Sequence, residues 1–209
     1  MLTDPMPAEA VEIAHKLVSL AAEDLDGNRV ATMMLELAGE WGVPALWEQV
    51  CQPLLARLTG GAGEIAVEHA LCVGVRVGLD VYRREPGRSL RTGGVLLAGA
   101  EREAHCLGLD ALAAALREQG HGCLHLGPAL PWAALTSAVY RARPSIVVLW
   151  SQTPVTGRAY RLVRFARDFP LLRVYGAGPG WIEPLTAPAA HLRTLPAAVA
   201  ACLAAPRPG

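Results

Sequence analysis

The chain has 209 residues, 52% of them hydrophobic, with 19 basic residues balanced by 19 acidic ones, enough to bury one large core or two small ones and without an electrostatic footprint for nucleic acid. Its five cysteines (Cys51, Cys72, Cys106, Cys123, Cys202) are odd in number and free of C-x-x-C spacing, which argues for buried reduced thiols against a disulfide framework or a zinc site. The N-terminus lacks a signal-peptide pattern and no apolar run reaches the ~18 residues of a membrane span, so a soluble cytoplasmic protein is expected.

The first eighty-odd residues carry helical periodicity. Val11, Ile13, Ala14, Leu17, Val18, Leu20 and Ala21 form one stripe over 8–23, and Asp26-Gly27-Asn28 offers a turn and an N-cap for a helix from Val30 to Leu37. Pro44 suits the first turn of a third helix, Ala45–Leu58. The run Thr59 to Gly63 breaks the pattern before a fourth helix from Glu64 to Tyr82. Short connections between four such helices predict an antiparallel four-helix bundle over 1–86.

Past a polar linker, Arg83 to Ser89, the period changes. Apolar runs at Gly94–Ala98, Cys123–Leu126, Ser145–Trp150, Leu172–Tyr175 and His191–Leu195 alternate with helical segments at 107–118, 131–141, 157–168 and 196–203. Apolar strands with little alternation, each followed by a helix, predict a parallel sheet covered on both faces. Five strands over 87–209 fit an α/β, flavodoxin-like (Rossmann-like) doubly wound domain, whose ligands sit outside the carboxyl ends of the strands. The arginines at 158, 161, 164 and 167 recur at helical spacing and read as a solvated helix face.

Three of those strand ends carry unusual residues. After the first come Glu103, His105 and Gly108; after the third, Ser151 and Thr153; after the fourth, Gly176-Ala177-Gly178. A carboxylate two residues before a histidine can hold one imidazole nitrogen while the other binds a metal. Glycine at the neighbouring strand end lets a bulky planar group approach the backbone closely. The glycines do not complete G-x-G-x-x-G and follow the fourth strand, so a dinucleotide cradle is a poor reading.

The combination E-x-H-x-x-G, S-x-T and G-x-G resembles the cobalamin-binding domain over Arg91 to about Leu195. That resemblance implies cobalamin (adenosyl-, methyl- or hydroxocobalamin) as cofactor, with His105 as the lower cobalt ligand in place of the cofactor's own base. It implies that Glu103 bonds the other imidazole nitrogen. The displaced nucleotide tail would lie in a slot lined by Gly108, Ser151, Thr153, Gly176 and Gly178. Two departures are a glutamate where aspartate is commoner, and Ala177 between the paired glycines.

In the helical half, Glu68 and His69 resemble the light-responsive MerR-type cobalamin regulators (the CarH/LitR kind), in which a tryptophan, nine residues and then Glu-His face the upper side of the corrin. The resemblance implies His69 as a candidate upper cobalt ligand. The tryptophan position is Leu58 here, which loses the stacking surface unless Trp41 or Trp47 supplies it. The regulators' DNA-binding domain has no counterpart, so no direct nucleic-acid contact is expected. The leading expectation is a cobalamin sensor, photoreceptor-like and not catalytic, acting in transcription regulation through self-association or a regulatory protein partner. The alternatives are a cobalamin-dependent enzyme or methyl-carrying corrinoid subunit, and a corrin storage protein.

Overall fold

Asp26 starts the second helix as its position suggests, with Oδ1 accepting a hydrogen bond from the Arg29 N–H at 2.9 Å. The computed structural model describes residues 5–58, 60–84 and 94–204; Thr59 and the linker positions 85–89 lie outside the described residues. Two units divide after Ser89.

The first unit is helical. It comprises α1 (Ala8–Glu23), α2 (Gly27–Trp41), a segmented third helix and α5 (Ala62–Arg84). The segments are α3 (Val43–Leu46), a π-helical turn (Trp47–Cys51) and α4 (Gln52–Arg57), where the sequence predicts one unbroken helix. Pro53 accounts for the interruption: it has no N–H to give to the Gln49 carbonyl one turn back. His15 Nε2 lies 2.7 Å from that carbonyl and satisfies it from α1.

Helices α2 and α5 meet through glycine. A β-carbon on Gly74 would stand 2.5 Å from Val30 Cβ, and one on Gly78 would stand 2.5 Å from Met34 Cβ. Such close approach is open only to residues without a side chain. The buried row of α1 is Ala14, Val18, Ala21 and Ala22, narrower than the expected stripe. Ile13, Leu17 and Leu20 are exposed, as are Ile65, Val73, Val77 and Val81 on α5. The small residues pack against larger buried ones, among them Val30, Met34, Leu71 and Leu79.

The second unit is a five-stranded parallel sheet of order β2-β1-β3-β4-β5, with β1 Val95–Gly99, β2 Leu124–His125, β3 Ile146–Trp150, β4 Arg173–Ala177 and β5 Ala189–Leu192. Helices α6 (Leu107–Glu118), α7 (Trp132–Ala142), α8 (Ala159–Asp168) and α9 (Leu195–Leu203) follow β1, β2, β3 and β5. This is the doubly wound order predicted from the sequence, and its strand order reverses between β1 and β3. The central strands are wholly apolar because both faces are covered: Leu96, Leu97, Val147 and Val148 are fully buried. The last strand ends earlier than expected because Thr194 turns to cap α9, its Oγ1 accepting from Ala197 N–H at 3.2 Å. In α8, Arg164 and Arg167 are exposed opposite buried Leu162, Val163, Phe165 and Ala166. Among the described residues, no helix is long and apolar enough to cross a membrane.

Candidate functional site

The carboxyl ends of β1 and β3 flank the point where the sheet reverses direction, and their loops are joined by one buried carboxylate. Ala100 N–H donates to the Trp150 carbonyl at 2.8 Å, so the two strands run together to their ends before the loops diverge. Arg102 then takes a left-handed conformation (φ 69°), and the chain turns Glu103 inward while leaving His105 outside. Glu103 is 1% exposed.

Each Glu103 oxygen has its own set of donors. Oε2 accepts from the backbone N–H groups of Gln152 (2.8 Å) and Thr153 (3.1 Å) and from the Thr156 hydroxyl (2.5 Å). Oε1 accepts from the backbone N–H of His105 at 2.9 Å, and His105 Nδ1 lies 3.3 Å away. Burial works against ionisation, but the Thr156 hydroxyl and the three backbone donors outweigh it and hold the carboxyl below its ordinary value. The site therefore contains a buried, fully ionised acceptor.

Its consequence is on His105, whose side chain is 64% exposed. With Nδ1 turned to Glu103, that nitrogen carries the proton and Nε2 presents a lone pair on the opposite side of the ring. His125, also beside a carboxylate, is different. Its Nδ1 accepts from Gly127 N–H at 3.1 Å and its Nε2 faces Asp110 Oδ1 at 3.2 Å, so both nitrogens are turned to protein groups in a half-buried contact between β2 and α6. His191 is turned to the Gly178 carbonyl at 2.9 Å.

Ser151 and Thr153 build the loop that holds Glu103. The Ser151 hydroxyl is fully buried, 2.9 Å from the Thr153 carbonyl and 2.7 Å from Thr156 Oγ1; with the Thr156 proton given to Glu103, the single Ser151 proton is shared between these two acceptors. Gly180 N–H donates to the Ser151 carbonyl at 2.9 Å, tying the β4 loop to the same turn. Gly176 lies under Trp181 and Leu185, where a β-carbon would stand 2.6 Å from Leu185 Cδ1 and 2.9 Å from Trp181 Cε2. Trp181 Nε1 donates to the Ala177 carbonyl at 2.9 Å. Gly178 adopts φ 92°, and its own β-carbon would stand 3.0 Å from Trp150 Cε2. A β-carbon on Gly108 would stand 2.7 Å from Cζ2 of the same indole. The ring of Trp150 thus packs against both Gly108 and Gly178.

Sequence reasoning named Glu103, His105, Ser151 and Thr153, which the structure brings together, but not Thr156 or Trp150. Thr156 could have been suspected as a third hydroxyl in the S-x-T-x-x-T run. Trp150 reads as the last apolar residue of a strand, and nothing in the sequence sets it apart.

In the helical unit, Glu68 is half-buried and His69 exposed on α5. Leu58 is the extended residue that ends α4 (φ −87°, ψ 99°), so it is not on the helix that carries Glu68 and His69. Trp47 is buried, in the π-helical turn, and Trp41 is the last residue of α2. Among the described residues, no group of three or more His, Cys, Asp or Glu could hold a metal ion.

No protein-family model matches the chain, and no curated protein does so. Among solved structures, the monomethylamine corrinoid protein of Methanosarcina barkeri superposes with a TM-score of 0.68 at 15% identity, over 92% of this chain and 97% of that one. The two share a fold. The methanol:cobalamin methyltransferase complex MtaBC from Methanosarcina barkeri gives a TM-score of 0.47 at 16% identity, covering 93% of this chain and 82% of that chain. A novel cobalamin-binding protein from Desulfitobacterium hafniense DCB-2 gives 0.45 at 15% identity, covering 89% and 95%.

Proposed function

We propose that the chain is a corrinoid-binding protein of the methyl-carrier kind, with His105 as the protein's ligand to cobalt. The observation that carries this reading is the Glu103–His105 pair at the switch point of the sheet: a buried carboxylate at 3.3 Å from Nδ1 and an exposed ring with Nε2 outward. One imidazole is a poor site for a bare ion, which asks for three or more protein ligands. It would suit a metal already held by a macrocycle, to which His105 would add one protein ligand.

Bound cobalt would supply the centre that accepts and releases a methyl group. The chain's own residues would do the rest. Glu103 fixes the tautomer and, by drawing on the Nδ1–H, makes Nε2 a stronger donor. Gln152, Thr153 and Thr156 hold Glu103 in place from the β3 loop, so His105 rests on two strands and is not carried by a single mobile loop.

The carrier reading is favoured over the sensor because the likeness to a corrinoid protein extends over both the helical and the sheet units. The regulator pattern expects its aromatic residue together with Glu-His, whereas Leu58 ends α4 and the pair belongs to α5. A carrier also requires a protein partner that donates or takes the methyl group.

The test is co-elution in gel filtration after incubation with hydroxocobalamin and, separately, diaquocobinamide. The expected result is one corrinoid per chain with shifted visible bands, and loss of that shift in His105→Ala. Elution of colourless protein from both mixtures would remove the reading. Illumination of protein loaded with an adenosyl-corrinoid separates carrier from sensor: a carrier keeps its elution volume after photolysis, and a light sensor changes it.

A further inference from the structure

We propose that Trp150 occupies the place of the cofactor's own tail base, so that the chain selects corrinoids with a short or absent nucleotide tail over complete cobalamin. The proposal rests on the corrinoid reading above and deepens it by naming the substrate class of the same site.

The starting point is the fate of the five residues expected to line a tail slot. Ser151 has its hydroxyl committed to the Thr153 carbonyl and Thr156. Thr153 gives its N–H to Glu103, and its carbonyl lies 2.9 Å from the Ser151 hydroxyl. Gly176 is covered by Trp181 and Leu185. The remaining two, Gly108 and Gly178, both pack against the indole of Trp150, with its benzo edge on Gly108 and Cε2 near Gly178. The fit is close: a methyl group on Gly108 would overlap the ring, and one on Gly178 would press on it at 3.0 Å.

The occupant has the shape of what it would exclude. Indole and a benzimidazole base are both flat, fused six- and five-membered aromatic rings, so a slot lined by these two glycines has room for one of them. Trp150 is also poorly placed to move aside, because its backbone is in the centre of the sheet, registered with Gly99 on β1 and Ala177 on β4. Among the described residues its Nε1–H is buried with no hydrogen-bond partner, so packing, not a polar anchor, is what holds the ring there. A corrin ring that reaches His105 without a tail meets none of this, since His105 is exposed on the rim.

The experiment compares binding of diaquocobinamide, which has no nucleotide, with aquacobalamin, which has a complete one, by equilibrium dialysis and absorption spectra. For the wild-type protein the expected result is cobinamide bound about tenfold or more tightly than cobalamin, with the His105-dependent band shift confined to cobinamide. Trp150→Ala opens the slot and moves the ratio toward cobalamin by about tenfold or more. Trp150→Leu, which keeps the packing apolar, gives an intermediate ratio and guards against a folding defect in the smaller variant. Cobalamin bound as tightly as cobinamide by the wild type, with the same band shift, overturns the proposal and leaves the corrinoid reading standing. Binding of neither compound overturns both.

Discussion

Nδ1 of His105 lies 3.3 Å from Oε1 of Glu103, while the other oxygen of that carboxylate is gripped by three donors of a loop fifty residues away. The histidine is thereby oriented by a group that is itself immobile. Removing the carboxylate should affect both stability and cofactor affinity, for separate reasons.

For stability, Glu103→Gln keeps the shape but sets an amide N–H2 among backbone N–H donors. The expected cost is about 2–4 kcal/mol, from lost charge-assisted bonds and buried donors left unpaired, read by urea denaturation. For binding, the same change should weaken corrinoid affinity by about 10–100-fold. A variant as stable as wild type would show that the β3 loop does not depend on this carboxylate.

The pH dependence follows from the direction of the shift. Glu103 titrates below its ordinary 4.5 in the folded protein, so its contribution is fully present above that value and is lost as the pH falls through the lower, folded value. The stability difference between wild type and Glu103→Gln should be constant from pH 7 down to about 5.5 and shrink below pH 4.5. A difference that grew on acidification would contradict an ionised Glu103.

The Trp150 packing predicts strong coupling with Gly108. Gly108→Ala should cost about 1–3 kcal/mol through overlap with the indole. In a Trp150→Ala background the same change should cost little, giving a coupling energy of about 1 kcal/mol or more in a double-mutant cycle. Additive effects would place the ring elsewhere.

Burial pushes the Cys51 thiol up to about 12, and burial with Cys123 beside it pushes Cys202 up to about 12 despite Arg173. Cys72, less enclosed, is raised by burial and by Glu68 to about 11. Aromatic disulfide reagents at pH 8 should therefore label Cys72 about a hundredfold more slowly than an ordinary thiol, and Cys51 and Cys202 more slowly still, until denaturant is added. Rapid labelling of Cys51 in native protein would contradict the packing of the helical unit.

Much of this was legible in the sequence because periodicity reports burial. Uninterrupted apolar runs at β1 and β3 announced a sheet covered on both faces, and Glu103-x-His105 announced a loop at its rim. Short-range chemistry also explains the misses. Pro53 breaks a helix that its aliphatic spacing predicts, since periodicity does not register a missing N–H. Gly108 and Gly178 are expected to line a slot for the cofactor's tail, and the chain's own Trp150 packs against both. A side chain's direction from a strand end is set by tertiary packing, and no local pattern encodes it.

The account turns on Nε2 of His105 as the axial donor to cobalt. The most direct test is the electron paramagnetic resonance spectrum of cob(II)inamide bound to protein uniformly labelled with nitrogen-15. The unpaired electron of low-spin cobalt(II) points along the axial direction, so one axial nitrogen-14 splits each line into three and one nitrogen-15 splits it into two. The account predicts triplets with unlabelled protein, doublets with labelled protein, and neither in His105→Ala. Lines without nitrogen splitting in the wild-type complex, or splitting that survives in His105→Ala, would contradict it.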